Sequence, residues 1–244
     1  MIVYPAIDIR GGRCVRLVEG DYARETVFDA DPAEAARRWA AAGAEWLHVV
    51  DLDGAKDGHP TNVEAIKRIR EAVMIPIQLG GGLRTERDVA LAFDLGIDRA
   101  ILGTAAIRDP ELVARLAVRW GDRLAAGLDA RDGKLAASGW LEQTEERAED
   151  VALRLRQAGI QVFIYTDIRR DGTLSGPNLP ALESLVNLLG RGVIASGGIG
   201  TLDDVAAVAR TGADGVIIGR ALYDGRVDLA SAIAVAKSSE PLRC

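Results

Sequence analysis

Cysteine is almost missing from this chain. Cys14 and Cys244 are the only two, too few for a disulfide framework or a cysteine-based zinc site. A basic excess is missing too. The formal net charge is −6 and the arginines are scattered, which leaves no basic footprint for nucleic acid. An anionic ligand must then be met by local sites, such as helix N-termini, rather than by a global field. No apolar run reaches the ~18 residues of a membrane span. The opening MIVYPAIDIRGG lacks the basic-then-apolar pattern of a signal peptide. The expectation is a cytoplasmic protein with neither a nucleic-acid nor a membrane partner. No low-complexity segment or linker divides the chain. At 244 residues, 48% apolar and 27% charged, it suits one large domain or two small ones.

What is present is an internal repeat. GGLRTERDVALAFDLGIDRAILGTA (81–105) and GGIGTLDDVAAVARTGADGVIIGRA (197–221) align at an offset of 116 without a gap, with eleven of 25 positions identical. Among these are Gly81/Gly197, Gly82/Gly198, Thr85/Thr201, Asp88/Asp204, Gly96/Gly212 and Gly103/Gly219. The same offset sets Gly43 on Gly159 and Asp51 on Asp167.

Short β-rich apolar runs alternate with longer helical patterns. Strands are predicted at Ile2–Ile9, Trp46–Asp51, Ile75–Leu79, Arg99–Leu102, Leu124–Asp129, Gln161–Thr166, Val193–Ala195 and Gly215–Ile218. Most are apolar on both faces, as in a parallel sheet covered by helices. Helix starts are read at Asp31-Pro32-Ala33-Glu34 and at the Thr-x-x-acid spacings opening at Thr61, Thr85 and Thr201. Stops are read at Gly43, Gly96, Gly159 and Gly212. Eight strand–helix alternations predict an α/β fold, a (β/α)₈ TIM barrel spanning 1–244 as one domain. An open doubly wound sheet is the alternative, but its halves need not match. The repeat marks half-barrels of about 1–120 and 121–244, neither closed alone.

Sites in such barrels lie at the C-terminal strand ends. Asp8 and Asp129 end the first and fifth predicted strands in like frames, AID-IRGGR and GLD-ARDGK, at an offset of 121. The first half therefore carries about five extra residues, and GGRCVRLVEGDYARET (11–26) reads as a substrate-covering loop. Two carboxylates facing each other there form either an acid–base pair or a pair of loop caps. Gly81 and Gly82 follow strand three, and Gly103-Thr104 follows strand four. Gly197 and Gly198 follow strand seven, and Gly219-Arg220 follows strand eight. Glycine lets backbone N–H groups approach a phosphate. The same two-part pattern occurring twice points to a small-molecule ligand with a phosphate at each end. Thr166, Asp167 and Asp171 are within reach of the mouth or satisfy their own loop, and Asp51, Asp53 and Lys56 stand in like places. His48 reads as a core or rim residue, His59 as solvated and Cys14 as a small core residue. Trp140 either stacks on a flat heterocycle or packs its loop down.

PAIDIRGG, GDY, VVDLDGAK, LGGGLR, LGTAA, GLDARDG, SGW, YTDIRRDGTLSGPN, ASGGIG and IIGRALYDG occur in that order. With them the chain, from Met1 to about Ala236, closely resembles the phosphoribosylformimino-aminoimidazole-carboxamide ribotide isomerase family of histidine biosynthesis. The resemblance implies a (β/α)₈ barrel, a cofactor-free and metal-free Amadori rearrangement of an aminoaldose to an aminoketose, and a bis-phosphorylated substrate. By matching motif it implies Asp8 as the general base at the sugar C2′ and Asp129 as the general acid. Thr166 supports the second acid, with Asp171 a lesser candidate. Gly81, Gly82, Gly103 and Thr104 resemble one phosphate site; Gly176, Gly197, Gly198, Gly219 and Arg220 resemble the other. Arg16, Ser138 and Trp140 belong to the substrate loops. The two aspartates are expected to have their pKa values pushed apart, and the protein is expected to be a monomer. The pathway's cyclase carries cysteine where this chain has Ala6. A bifunctional isomerase that also takes phosphoribosyl anthranilate typically carries arginine where this chain has Ser138. That bifunctional enzyme and a non-catalytic phosphate-ligand barrel are the competing readings.

Overall fold

The computed structural model describes residues 1–239, so Cys244 and the last residues of the second half-barrel lie outside the described residues. The strands are β1 (Ile2–Arg10), β2 (Arg13–Val18), β3 (Asp21–Asp29), β4 (Leu47–Asp51), β5 (Ile77–Gly80), β6 (Arg99–Leu102), β7 (Leu124–Arg131), β8 (Lys134–Ala137), β9 (Glu142–Arg147), β10 (Val162–Asp167), β11 (Val193–Ser196) and β12 (Gly215–Ile218). Eight of these (β1, β4, β5, β6, β7, β10, β11 and β12) pair in parallel, each with the next, and β12 returns to β1. The sheet is therefore a closed barrel, as the alternation predicts.

Eight helices cover it: α1 (Pro32–Ala41), α3 (Val63–Ala72), α4 (Glu86–Asp94), α6 (Pro110–Trp120), α7 (Ala148–Gln157), α8 (Leu179–Leu189), α9 (Leu202–Arg210) and α11 (Leu229–Ser238). Short helices α2 (Leu52–Asp57), α5 (Thr104–Arg108) and α10 (Arg220–Tyr223) start at strand C-termini. Among the described residues no helix is long and apolar enough to cross a membrane.

Strand alternation splits the core in two. Val3, Ile7, Leu47, Val49, Phe163 and Tyr165 point outward into the layer under the helices. Tyr4, Ala6, Ile101, Ala125, Ile164, Ile194 and Ile217 point inward and fill the barrel. Because both faces are buried, the strands read as near-continuous apolar runs, which is why the sequence located them within a residue or two.

Three expectations need correction. Residues 11–26, expected as a loop, lie mostly in strands: β2 and β3 form an antiparallel hairpin on the end of β1. A second hairpin, β8 and β9, stands on the end of β7. Pairing with them carries β1 to Arg10 and β7 to Arg131, past the predicted ends at Ile9 and Asp129. The third concerns Thr61, which does not cap α3. The N-cap is Asn62, and its side chain is taken by Asp51 and Asp53 at 2.7 and 2.8 Å.

The repeat carries over into the backbone. Thr85 and Thr201 each close a capping box with Asp88 and Asp204. Gly96 and Gly212, just past α4 and α9, have φ of 83° and 85°, left-handed values that suit glycine. Asp51 and Asp167 hold equivalent loops by accepting from Asn62 and Asn178 at 2.7 and 2.6 Å. Both aspartates are thus loop anchors. Thr85→Ala is expected to lower unfolding stability by about 1 kcal/mol. Urea denaturation measures this, and an unchanged midpoint would show that the cap contributes nothing.

Candidate active site

Asp8 on β1 and Asp129 on β7 stand four strands apart around the eight-strand circle, at its C-terminal end. One cleft there is lined by Asp8, Arg16, Asp129, Trp140, Thr166 and Asp171, with both glycine sets around them. Its space, including the open top, is about 1440 Å³. Among the described residues no group of three His, Cys, Asp or Glu side chains is arranged to hold a metal ion.

The two aspartates have unlike partners. Arg16 reaches down from β2 and its Nη1 lies 2.8 Å from Asp8 Oδ2; its Nη2 lies 4.0 Å from Asp171 Oδ1. Burial pushes Asp8 up to about 6, against the pull of Arg16 and with added repulsion from Asp171. Among the described residues no cation pairs with Asp129. Burial raises its pKa, and hydrogen bonds donated by the Trp140 indole and the Thr166 hydroxyl oppose the rise. Asp171 is raised by burial against Arg16. Desolvation displaces both aspartates in the same direction, upward. What differs is the company each keeps, an ion pair for Asp8 and neutral donors for Asp129.

Trp140 reaches this position through an unusual turn. Ser138, Gly139 and Trp140 have φ of 56°, 65° and 68°, and left-handed backbone costs about 1–2 kcal/mol at a non-glycine residue. The turn carries the indole across the mouth onto Gly20, where an added Cβ would lie 2.3 Å from Trp140 Cε3. The tips of the two hairpins therefore meet over the cleft.

The cradles match. Gly81 and Gly197 have φ of 99° and 90°; Gly82 and Gly198 have 77° and 87°. A Cβ on Gly82 would lie 2.5 Å from the His59 carbonyl carbon, and one on Gly198 would lie 2.2 Å from Gly176 O. Gly103 and Gly219 precede α5 and α10, neither with a side-chain cap. A Cβ on Gly103 would meet no atom within 4 Å, whereas one on Gly219 would meet the Arg16 guanidinium at 2.3 Å. The Arg16 cation thus lies over the second cradle.

Two expected residues stand behind the lining. Gly176 donates its N–H to Gly198 O at 2.9 Å and so supports the cradle. Ser138 donates its N–H to Thr104 Oγ1 at 2.9 Å, which fixes the Thr104 hydroxyl. Arg220 lines the cleft, with its Nη1 on Gly172 O at 2.9 Å and its Nε on Asp224 at 3.0 Å. The sequence reading missed Arg84, which lines the first cradle and donates to Ala55 O at 3.0 Å; its signal was its place directly after the glycines in LGGGLR. His48, read as a core or rim residue, also lines the cleft. His59 is exposed and Cys14 is buried, as read.

Fold and site together define a (β/α)₈ barrel whose mouth joins two like glycine cradles around opposed carboxyls. Comparison with known proteins gives the class a family. Residues 2–228 match the model of the histidine biosynthesis protein family. The chain is 54% identical to a protein of Chloroflexus aggregans over 98% of this chain and 99% of that one. It is 51% identical to one of Picosynechococcus sp., over 96% and 92%. To one of Brevibacillus brevis it is 48% identical, over 95% and 94%. All three are named 1-(5-phosphoribosyl)-5-((5-phosphoribosylamino)methylideneamino)imidazole-4-carboxamide isomerase. The chain belongs to this isomerase family of histidine biosynthesis.

Gly103→Ala adds its methyl to the empty cleft. It is expected to change unfolding stability by less than ~1 kcal/mol while weakening the binding of phosphate-bearing ligands. Calorimetric titration with inorganic phosphate, beside a denaturant melt, checks both; unaltered phosphate affinity would remove Gly103 from the cradle.

Proposed function

We propose that this protein isomerises the bis-phosphorylated ribotide named in its relatives, turning an aminoaldose into an aminoketose. The single observation that carries the reading is the placement of Asp8 and Asp129 on opposite sides of a cleft flanked by two superposable glycine cradles. A non-catalytic phosphate barrel would need the cradles but not both carboxyls.

The chemistry follows from the two groups. One phosphate rests in each cradle, so the reacting ribose is held between the aspartates. Asp129, in its acid form, gives a proton to the ring oxygen. The C1′–O bond breaks and the nitrogen lone pair forms a protonated imine. That imine acidifies the C2′ proton, which the Asp8 carboxylate removes; the electron pair becomes the C1′–C2′ double bond of an enolamine. Loss of the O2′ proton and protonation of C1′ give the ketone. C1′ is reduced as C2′ is oxidised, so the rearrangement balances without an external electron carrier. Thr166 and Trp140 orient the Asp129 carboxyl, and Asp171 shares the Arg16 cation with Asp8.

Asp8→Asn is expected to lower kcat at least ~100-fold, the low end for a positioned proton-transfer group, with substrate affinity nearly intact. Wild-type-like turnover would remove Asp8 from this role. A base that ionises near 6 is protonated, and idle, below that pH. In the wild type, kcat/KM is therefore expected to fall about tenfold per pH unit below about 6. A flat profile from pH ~7 to ~4.5 would contradict Asp8 as the base.

A further inference from the structure

A buried polar chain descends the barrel interior from the cleft. His48 on β4, Gln78 on β5 and Arg99 on β6 are neighbours by register, His48 with Gln78 and Gln78 with Arg99. Gln78 is fully buried and His48 is 9% exposed. Such a chain in a barrel otherwise filled with Ala and Ile needs a reason.

Its polarity is set from the bottom. A guanidinium can only donate. Arg99 Nη1 donates to Gln78 Oε1 at 3.1 Å, so the amide oxygen is taken and the amide NH₂ faces His48. Gln78 Nε2 then donates to His48 Nδ1 at 3.0 Å. Arg99 is itself fixed, 4.4 Å above the Trp46 ring and hydrogen-bonded to Tyr4. With Nδ1 an acceptor, a neutral His48 ring carries its proton on Nε2. Burial and the nearby Arg16 cation pull His48 down to about 3, so the ring stays neutral across the working range. Among the described residues nothing bonds His48 Nε2, and His48 lines the cleft. His48 pairs with Ala6, one inward position below Asp8 on the adjacent strand. An N–H donor therefore faces the cleft one strand over from Asp8 and one inward position lower.

We propose that His48 is a further catalytic residue, whose Nε2–H donates a hydrogen bond to the oxygen on the sugar carbon that Asp8 deprotonates, while Gln78 and Arg99 are positioning residues that fix its tautomer. This rests on the isomerase reading above. The oxygen begins as a hydroxyl and ends as the ketone carbonyl, gaining negative character as its proton leaves. A fixed donor stabilises that change without reorganising. His48 keeps its own proton throughout, so no bond to hydrogen is broken at the ring. A neutral imidazole can do this beside Arg16, where an imidazolium would add a repelling charge.

The test combines ¹⁵N NMR with kinetics. The chain has two histidines, so a His59→Gln background leaves His48 as the one labelled ring. The expected spectrum shows a neutral ring with Nε2 protonated from about pH 5 to about pH 9. A proton on Nδ1, or an imidazolium at pH ~6, overturns the proposal. Gln78→Glu replaces the amide donor with an acceptor and is expected to move the proton to Nδ1. Turnover of the bis-phosphorylated ribotide should then fall about 100-fold in kcat, the scale of one lost preorganised donor, with KM within about threefold. His48→Phe should give the same split. Wild-type kcat in either folded variant, or an unmoved tautomer in Gln78→Glu, overturns the proposal. If the wild type fails to turn over the ribotide, the isomerase reading falls, and the tautomer measurement still stands by itself.

Discussion

Two carboxylates share one buried guanidinium at the mouth of this barrel. Asp8 and Asp171 both face Arg16, and Asp129 feels Asp171 across the same space. Taking charge out of water is costly unless it is paired. Burial works against the Arg16 charge, and Asp8 and Asp171 more than restore it. Among the described residues the Arg16 Nε has no hydrogen-bond partner, so even this cation is incompletely satisfied. One charge is thus asked to hold two carboxylates. The remainder of the mouth is consistent with that constraint: neutral donors for Asp129, neutral His48 below, and hairpin tips that meet above.

The cation comes from an element that the two halves share in position but not in residues or length. The cradles, capping boxes and loop anchors repeat with nearly the same backbone angles in both halves. The hairpins do not. β2 brings Arg16 to Asp8 and lays it over Gly219; the β8–β9 hairpin brings the Trp140 indole to Asp129. Two like carboxylates on a duplicated frame are thereby given unlike surroundings. Under the proposed reaction, this asymmetry lets one act as base and the other as acid, while the retained symmetry holds the substrate's two ends.

Much of this was legible in the residues. The alternation of doubly buried strands gave the barrel, because a parallel sheet covered on both faces leaves near-continuous apolar runs. The offset of 116 located both cradles, because a left-handed backbone turn against a neighbouring carbonyl admits only glycine. The hairpins were not legible as strands: β3 and β9, one arm of each, are largely exposed, so neither gives an apolar run. The Thr61 spacing looked like a cap, but Asn62 lies one residue nearer the helix and is held by two aspartates. That burial raises both carboxyls was not legible, because desolvation depends on packing that residue order alone does not show. Gln78 and Arg99 passed unnoticed because a polar residue inside a strand carries no sign of which face it occupies until the register is known.

The central claim is spatial: the two ends of one substrate occupy the two cradles and hold the reacting ribose between Asp8 and Asp129. The most direct measurement is a crystal structure of the Asp8→Asn variant with the intact bis-phosphorylated ribotide bound. The expected density places one phosphate at Gly82 and Gly103 and the other at Gly198 and Gly219. It also places the reacting ribose in contact with residue 8 on one side and Asp129 on the other. Both phosphates in one half of the barrel, or a ribose beyond the reach of either position, would contradict it.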